Sequence, residues 1–202
     1  MKIYLVRHGE TEWNRAGRMQ GHLDAPLTMR GEAQARAVGE TLRELGVGGF
    51  SMVASPLGRT RATAAIIARA LGRDPEAITT DHRLMEMTWG AWDGLTNAEI
   101  EARDPGALAR RAADHWNYRP PVGGESYARV ALRVADWLAG LDEDRPRIVV
   151  SHGGTGRVLR GLYGGLSQAE TLAQDEPQDA FHRLHDGLIG RIESGYEDPG
   201  PR

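Results

Sequence analysis

Lys2-Ile-Tyr-Leu-Val6 is a short, apolar, β-rich run that stops at the polar turn Arg7-His8-Gly9, and it predicts a buried strand. Thr28 then stands as an N-cap before Ala35, Val38, Leu42 and Leu45, which fall on one face of a helix ending at Gly46. Ser51 to Ala54 predicts a second strand. Ser55-Pro56 opens a helix through about Leu71, with Ile66, Ile67 and Leu71 apolar and Gly72 as its stop, and a weak extended stretch follows from Ile78 to Thr80.

The middle of the chain is helical and more polar. Thr96-Asn97-Ala98-Glu99 fits a capping box, and Asp104-Pro105 breaks that helix and begins another through about Trp116. Tyr118 to Gly124 reads as a loop, and Glu125 to Leu141 as a helix with Val130, Val134, Trp137, Leu138 and Leu141 inward. Arg147 to Val150 is the clearest strand after the first, ending in Ser151-His152-Gly153-Gly154 with a helix on to about Leu162. Phe181 to Leu184 and Leu188 to Ile192, around Asp186-Gly187, predict a hairpin. Strands alternating with helices argue for an α/β fold, a three-layer α/β/α sandwich on a mostly parallel sheet. Residues 1–193 are expected to form a single domain with a helical cap segment at about 95–122, and 194–202 a disordered tail.

Composition narrows the function. With 25 Lys+Arg against 28 Asp+Glu the formal charge of the 202 residues is −3, and nothing in that balance calls for a nucleic acid or an anionic membrane. No apolar run approaches the ~20 residues a bilayer span requires, and the N-terminus meets Arg7-His8 too early for a secretory signal, so a cytoplasmic protein is expected. The absence of cysteine removes thiolate nucleophiles and Cys-ligated metal centres. His22 and His115 have no metal-ligand spacing, and no GxxxxGK[ST] loop occurs.

Two predicted parallel strands end in the same kind of turn, Arg7-His8-Gly9 and Ser151-His152-Gly153, and ligands bind at the carboxyl ends of such strands. A single His at a strand end is commonly structural; two on neighbouring strands would converge. Gly9 would let the backbone approach a ligand, Arg7 and His8 would face an anion, and Arg59, near a helix start, would add a guanidinium and a positive helix end. Arg18, Arg61 and Arg83 read as surface or ion-pairing residues, whereas Trp92 and Tyr118 are expected near a substrate.

Leu5-Val6-Arg7-His8-Gly9-Glu10-Thr11-Glu12-Trp13-Asn14 resembles the opening signature of the histidine phosphatase superfamily, the phosphoglycerate mutase-like proteins. The resemblance continues in family order through Leu27 to Gly31, Ser55 to Ala62, Leu84-Met85-Glu86, Gly90 to Gly94, Gly123 to Ser126 and Val150 to Gly154, covering residues 3 to about 160. It implies a phosphoglycerate mutase-like fold and a phosphohistidine mechanism. His8 would attack phosphorus; Arg7, Asn14, Arg59, His152 and Gly153 would hold the phosphoryl oxygens; Glu86 would act as general acid. Neither metal nor other cofactor is then required.

The mutases of this family hold their substrate with a basic insertion. Leu95 to Val122 contains Arg103, Arg110, Arg111 and Arg119 but also Glu99, Glu101, Asp104 and Asp114, and no lysine. Met87 follows Glu86 where mutases have a basic residue. Arg110 and Arg111 are adjacent on a helix, do not share a face, and read as solvated. A phosphatase acting on a small phosphomonoester is therefore expected, with a phosphoglycerate mutase and a non-catalytic phospholigand-binding module as alternatives. The strand Leu188 to Ile192 offers an edge that a homodimer could use.

Overall fold

The computed structural model describes residues 1–198. Its elements are β1 Lys2–Arg7, α1 Glu12–Arg15, α2 Met29–Glu44, β2 Ser51–Ala54, α3 Gly58–Ala70, β3 Thr79–Thr80, α4 Asn97–Arg103, α5 Ala107–Ala113, α6 Tyr127–Ala139, β4 Arg147–Ser151, α7 Gly153–Gly164, α8 Gln168–Ala173, β5 Ala180–His185 and β6 Leu188–Glu193. One six-stranded sheet runs in the order β3-β2-β4-β1-β5-β6. β3, β2, β4 and β1 are parallel, and the β5–β6 hairpin joins antiparallel to β1.

Strand alternation divides the core between the two faces. Tyr4 and Val6 pack with Val38, Leu42 and Ile67 from α2 and α3. Ile3 and Leu5 pack with Val130, Val134 and Trp137 of α6 and Val158 and Leu159 of α7. The expected three layers result. Trp92, Ile100 and Ala107 form a smaller cluster under the cap segment, with Met19, Leu95 and Tyr118 against it. No helix among the described residues is long and apolar enough to cross a membrane.

The caps fall where the side chains dictate. Thr28 Oγ1 accepts from Gly31 N at 3.0 Å, and Thr96 and Glu99 close the anticipated capping box. Asp186 and Gly187 turn the hairpin with φ of 51° and 75°, the left-handed pair that matches strand twist. Other boundaries differ from expectation. α3 begins at Gly58, because Asp24, far away in sequence, accepts from Gly58 N at 2.6 Å and supplies the cap that Leu57 cannot. α5 stops before Asp114, whose Oδ1 accepts from Asn117 N at 3.2 Å in place of a helix bond. The short helices α1 and α8, held by the capping boxes of Thr11 and Ser167, have too few residues for a periodic signal.

The segment after β6 departs from the disorder expected of it from Ser194. Ser194 is buried, donates through Oγ to the Asp179 carbonyl at 2.6 Å, and accepts from Thr41 Oγ1 at 2.9 Å. Asp198 pairs with Arg30 at 2.9 Å. The rest of the expected tail, 199–202, lies outside the described residues.

Candidate active site

The carboxyl ends of β1, β4 and β2 deliver His8, His152 and Ser55 side by side. His8 N donates to Ser151 O, and Ser55 N to Val150 O, both at 3.0 Å, so the ladder continues one residue past the strands. His8 and His152 are 3% and 1% exposed, and their ring centroids stand 5.3 Å apart at 63°.

His8 Nδ1 lies 2.8 Å from the Gly9 carbonyl and therefore carries the ring proton. From the opposite side Arg59 donates through Nε to His8 Nε2 at 3.3 Å, which requires a lone pair there. Burial, with Arg59 and Arg7 beside the ring, pushes the His8 pKa well below 6.5, against the pull of the Gly9 bond. His8 is thus a neutral imidazole with its unprotonated nitrogen among cations.

His152 Nε2 lies 2.8 Å from Ser55 Oγ, while His152 Nδ1 is buried without a hydrogen-bond partner. Arg7 Nε is likewise buried and unpartnered. Interiors rarely leave such atoms unsatisfied, and both belong to residues flanking the His8 ring. Arg7 Nη1 donates to the main-chain oxygen of Glu176, which fixes its guanidinium. Arg59, 2% exposed, donates to Leu23 O at 2.8 Å, Asp24 Oδ1 at 2.9 Å and Gly21 O at 2.8 Å, clamping that loop onto α3.

The remaining expected residues also converge here. Asn14 Oδ1 accepts from Thr11 N and Oγ1 at 3.1 Å and from Gln178 Nε2 at 3.2 Å, which leaves its amide NH2 to donate. Gly153 opens α7, so its N–H has no partner within the helix. Glu86 Oε1 accepts from Met87 N and Thr155 N at 3.0 Å and from Thr155 Oγ1 at 3.2 Å, whereas Oε2 accepts from Gly154 N at 3.0 Å. Oε2 is the less committed oxygen. Both Arg7 and Arg59 lie within the field of this carboxylate.

Three sequence readings need correction. Gly9 is small for the sake of another backbone: a Cβ there would lie 2.2 Å from Gly31 O. Trp92 is a core residue, 4% exposed and stacked on Tyr118 at 5.6 Å. The two arginines of α5 part company. Arg110 pairs with Asp104 in solvent, but half-buried Arg111 lies over the Trp89 ring at 4.7 Å and bonds to His115. As expected, Arg18 and Arg83 are ion-paired, with Glu99 and with Asp81 and Asp136.

Ser55, Glu176, Gln178 and Arg157 were missed. Ser55 had a signal, being a third polar residue directly after a strand. The stretch 174–178 has no periodicity, yet Gln178 Nε2 donates to His8 O at 3.1 Å. A groove of about 830 Å³ between α2 and α3 includes none of these residues. Among the described residues no group of three or more His, Cys, Asp or Glu is placed to hold a metal ion.

Behind Arg7, His182 shares Asp175 with Arg160 and Arg191; burial and the Arg160 charge lower its pKa to about 4. The unfolded chain binds a proton near pH 6.5, which the folded chain refuses until about pH 4. Stability is therefore complete above pH 6.5 and falls as pH drops toward 4, by about 2 kcal/mol from His182 alone at pH 5. Urea midpoints at pH 7 and pH 5 check this; unchanged midpoints contradict it.

The family profile described as histidine phosphatase superfamily (branch 1) matches residues 3–179. Over 157 residues the chain is 41% identical to a Salmonella newport protein named "Probable phosphoglycerate mutase GpmB", spanning 76% of this chain and 70% of that one. The mycobacterial glucosyl-3-phosphoglycerate phosphatase Rv2419c, solved with VO3, is 33% identical with a TM-score of 0.77, covering 95% of this chain and 96% of its own. The alpha-ribazole phosphatase of Shigella flexneri is 25% identical with a TM-score of 0.81, covering 96% and 95%.

Proposed function

The chain belongs to the histidine phosphatase superfamily, branch 1, and from that premise we propose that it hydrolyses a small phosphomonoester through a phosphohistidine on His8, without metal. The observation that carries the reading is the His8 tautomer. Its Nε2 lone pair stands beside unpartnered donors of Arg7 and His152, and nucleophile and oxyanion donors are what in-line phosphoryl transfer needs together.

In the first step a bond forms from Nε2 to phosphorus as the bond from phosphorus to the ester oxygen breaks. Arg7, Arg59, His152, Asn14 and the Gly153 N–H stabilise the equatorial oxygens. Glu86 Oε2 gives the leaving oxygen its proton and later takes one from the water that attacks the phosphohistidine, returning His8 neutral. The name of the Salmonella relative favours a mutase, which shares the first step and differs in returning the phosphoryl group to a second acid. The mixed charges of the cap favour water.

The test is phosphate release from a panel of small phosphomonoesters, with phosphoglycerate interconversion assayed in parallel. Release that EDTA leaves unchanged is expected. Interconversion without release makes the protein a mutase, loss with chelator and recovery with metal overturns the mechanism, and silence in both assays leaves a binding module. Glu86→Gln separates the acid role further: release from alkyl phosphates falls roughly 10²–10⁴-fold. Release from p-nitrophenyl phosphate, whose leaving group needs no proton, falls far less. Equal losses contradict the assignment.

A further inference from the structure

Glu86 stands on a segment, Met85 to Thr88, that belongs to no helix or strand, so its main-chain carbonyls must find partners elsewhere. Four successive carbonyls accept from side chains. Arg133 Nη1 of α6 donates to Arg83 O at 2.7 Å, Ser151 Oγ of β4 to Leu84 O at 2.9 Å, and Thr155 Oγ1 of α7 to Met85 O at 2.6 Å. The fourth donor is His22, whose Nε2 lies 2.8 Å from Glu86 O and therefore carries its ring proton. Ser151 and Thr155 are fully buried, whereas His22 is exposed. It reaches the segment from the loop 21–24, outside the core.

That loop is the one Arg59 grips. Gly21 O, Leu23 O and Asp24 Oδ1 all accept from the Arg59 guanidinium, so the residues on both sides of His22 hold the proposed phosphoryl clamp. Gly21 also abuts Asp93, where a Cβ would lie 1.8 Å from Oδ1, and Asp93 accepts from Trp89 N at 2.9 Å and Thr88 Oγ1 at 3.0 Å. The peptide between Glu86 and Met87 completes the connection. Its oxygen is held by His22, and its N–H donates to Glu86 Oε1 at 3.0 Å. A peptide is one planar unit, so turning it to free the carbonyl also takes the N–H away from the carboxylate.

We propose that His22 is a positioning residue: by fixing the 86–87 peptide it aims the Glu86 carboxylate, and by its place between Gly21 and Leu23 it ties that carboxylate to Arg59. The inference rests on the proposed function in taking Glu86 as the proton donor to the leaving oxygen. Acid and phosphoryl clamp then keep one spacing. Without the imidazole the carboxylate loses Met87 N and points less well at the ester oxygen, while Arg59 keeps its own contacts to the loop.

Two measurements on the full chain test this. In single turnovers His22→Ala should slow glycerol release from glycerol 2-phosphate roughly tenfold, since its alkoxide needs a proton. Nitrophenolate release from p-nitrophenyl phosphate should change less than about twofold, and KM for both esters likewise. His22→Gln, whose amide reaches as far as Nε2, should recover glycerol release to within about threefold of wild type. The second readout needs no turnover. Gly154 N and Thr155 N, in the first turn of α7, have no partner within the helix and donate to Glu86. Their amide exchange, followed by NMR, should quicken about threefold or more in His22→Ala, while that of Gly156 N, bonded to His152 O at 2.9 Å, should not change. Equal losses on the two esters, a His22→Gln protein as slow as His22→Ala, or unchanged exchange at Gly154 and Thr155 would overturn the role of His22. Quickened exchange in a protein that releases phosphate from no ester would remove the phosphatase reading and leave the link standing. Release by the wild type with neither effect in His22→Ala would do the reverse.

Discussion

His8→Ala should leave the protein folded and lower phosphate release by roughly 10⁴-fold or more. The loss follows from the absence of a substitute. His152 is 5.3 Å away between ring centroids, but its Nε2 is engaged with Ser55 Oγ at 2.8 Å. Its Nδ1 is placed to serve an oxyanion. The fold should survive because the β1–β4 ladder from Ile3 to Arg7 is made by backbone and by side chains other than the imidazole. The check is phosphate release beside a thermal melt, with a reaction on ³²P-labelled substrate quenched in alkaline detergent, which preserves a nitrogen–phosphorus bond. The wild type should yield an acid-labile, base-stable phosphoprotein, and the variant none. Activity within tenfold of wild type in a folded His8→Ala protein would sink the phosphohistidine assignment.

Gly31→Ala should cost roughly 3 kcal/mol or more of stability, although Gly31 sits in the first turn of α2, where helix propensity alone would favour alanine by about 1 kcal/mol. Packing sets the sign. A Cβ at Gly31 would lie 2.0 Å from Glu10 O, and one at Gly9 would lie 2.2 Å from Gly31 O. Both obstacles are main chain. Relief requires the end of β1 and the start of α2 to separate, which also displaces His8, so phosphate release should fall with stability. Gly46→Ala is the control: φ there is +69°, but nothing lies within 4 Å. It should cost about 1 kcal/mol. Urea midpoints of the two variants decide the matter, and a Gly31→Ala protein as stable as wild type would show that the two backbones do not need to touch.

The parts of this molecule that were legible in the sequence are those with a local cause. β1 and β4 are runs of apolar residues, α2 and α6 have an apolar stripe, and Asp186-Gly187 is a two-residue turn signal; each of these stands where it was expected. The motif-bearing residues Arg7, His8, His152 and Arg59 converge because they end or follow strands of one sheet or open a helix beside it, and Glu86 joins them because Gly154 N and Thr155 N of α7 hold its carboxylate. What the sequence conceals is contact between distant loops. Asp24 capping α3, Gln178 bracing the His8 carbonyl and Glu176 entering the site from position 176 leave no periodic trace. Arg110 and Arg111 look equivalent in a string, and only the packing of α5 against Trp89 separates them. The tail looked polar and unpatterned, yet Ser194 finds Asp179 and Thr41 because β6 delivers it there.

The two histidines differ in how securely inheritance preserves them. His8 is oriented by the carbonyl of Gly9, a main-chain group that every amino acid carries, so no single codon change at its partner can delete that acceptor. His152 is oriented by the hydroxyl of Ser55, which one nucleotide substitution can erase. At Ser55 the bond itself is lost, whereas at Gly9 the acceptor remains and a new side chain acts only through its collision with Gly31 O at 2.2 Å. A lineage that gave up turnover could first lose Ser55 while its nucleophile remained aimed, and would still look intact to anyone inspecting His8 alone.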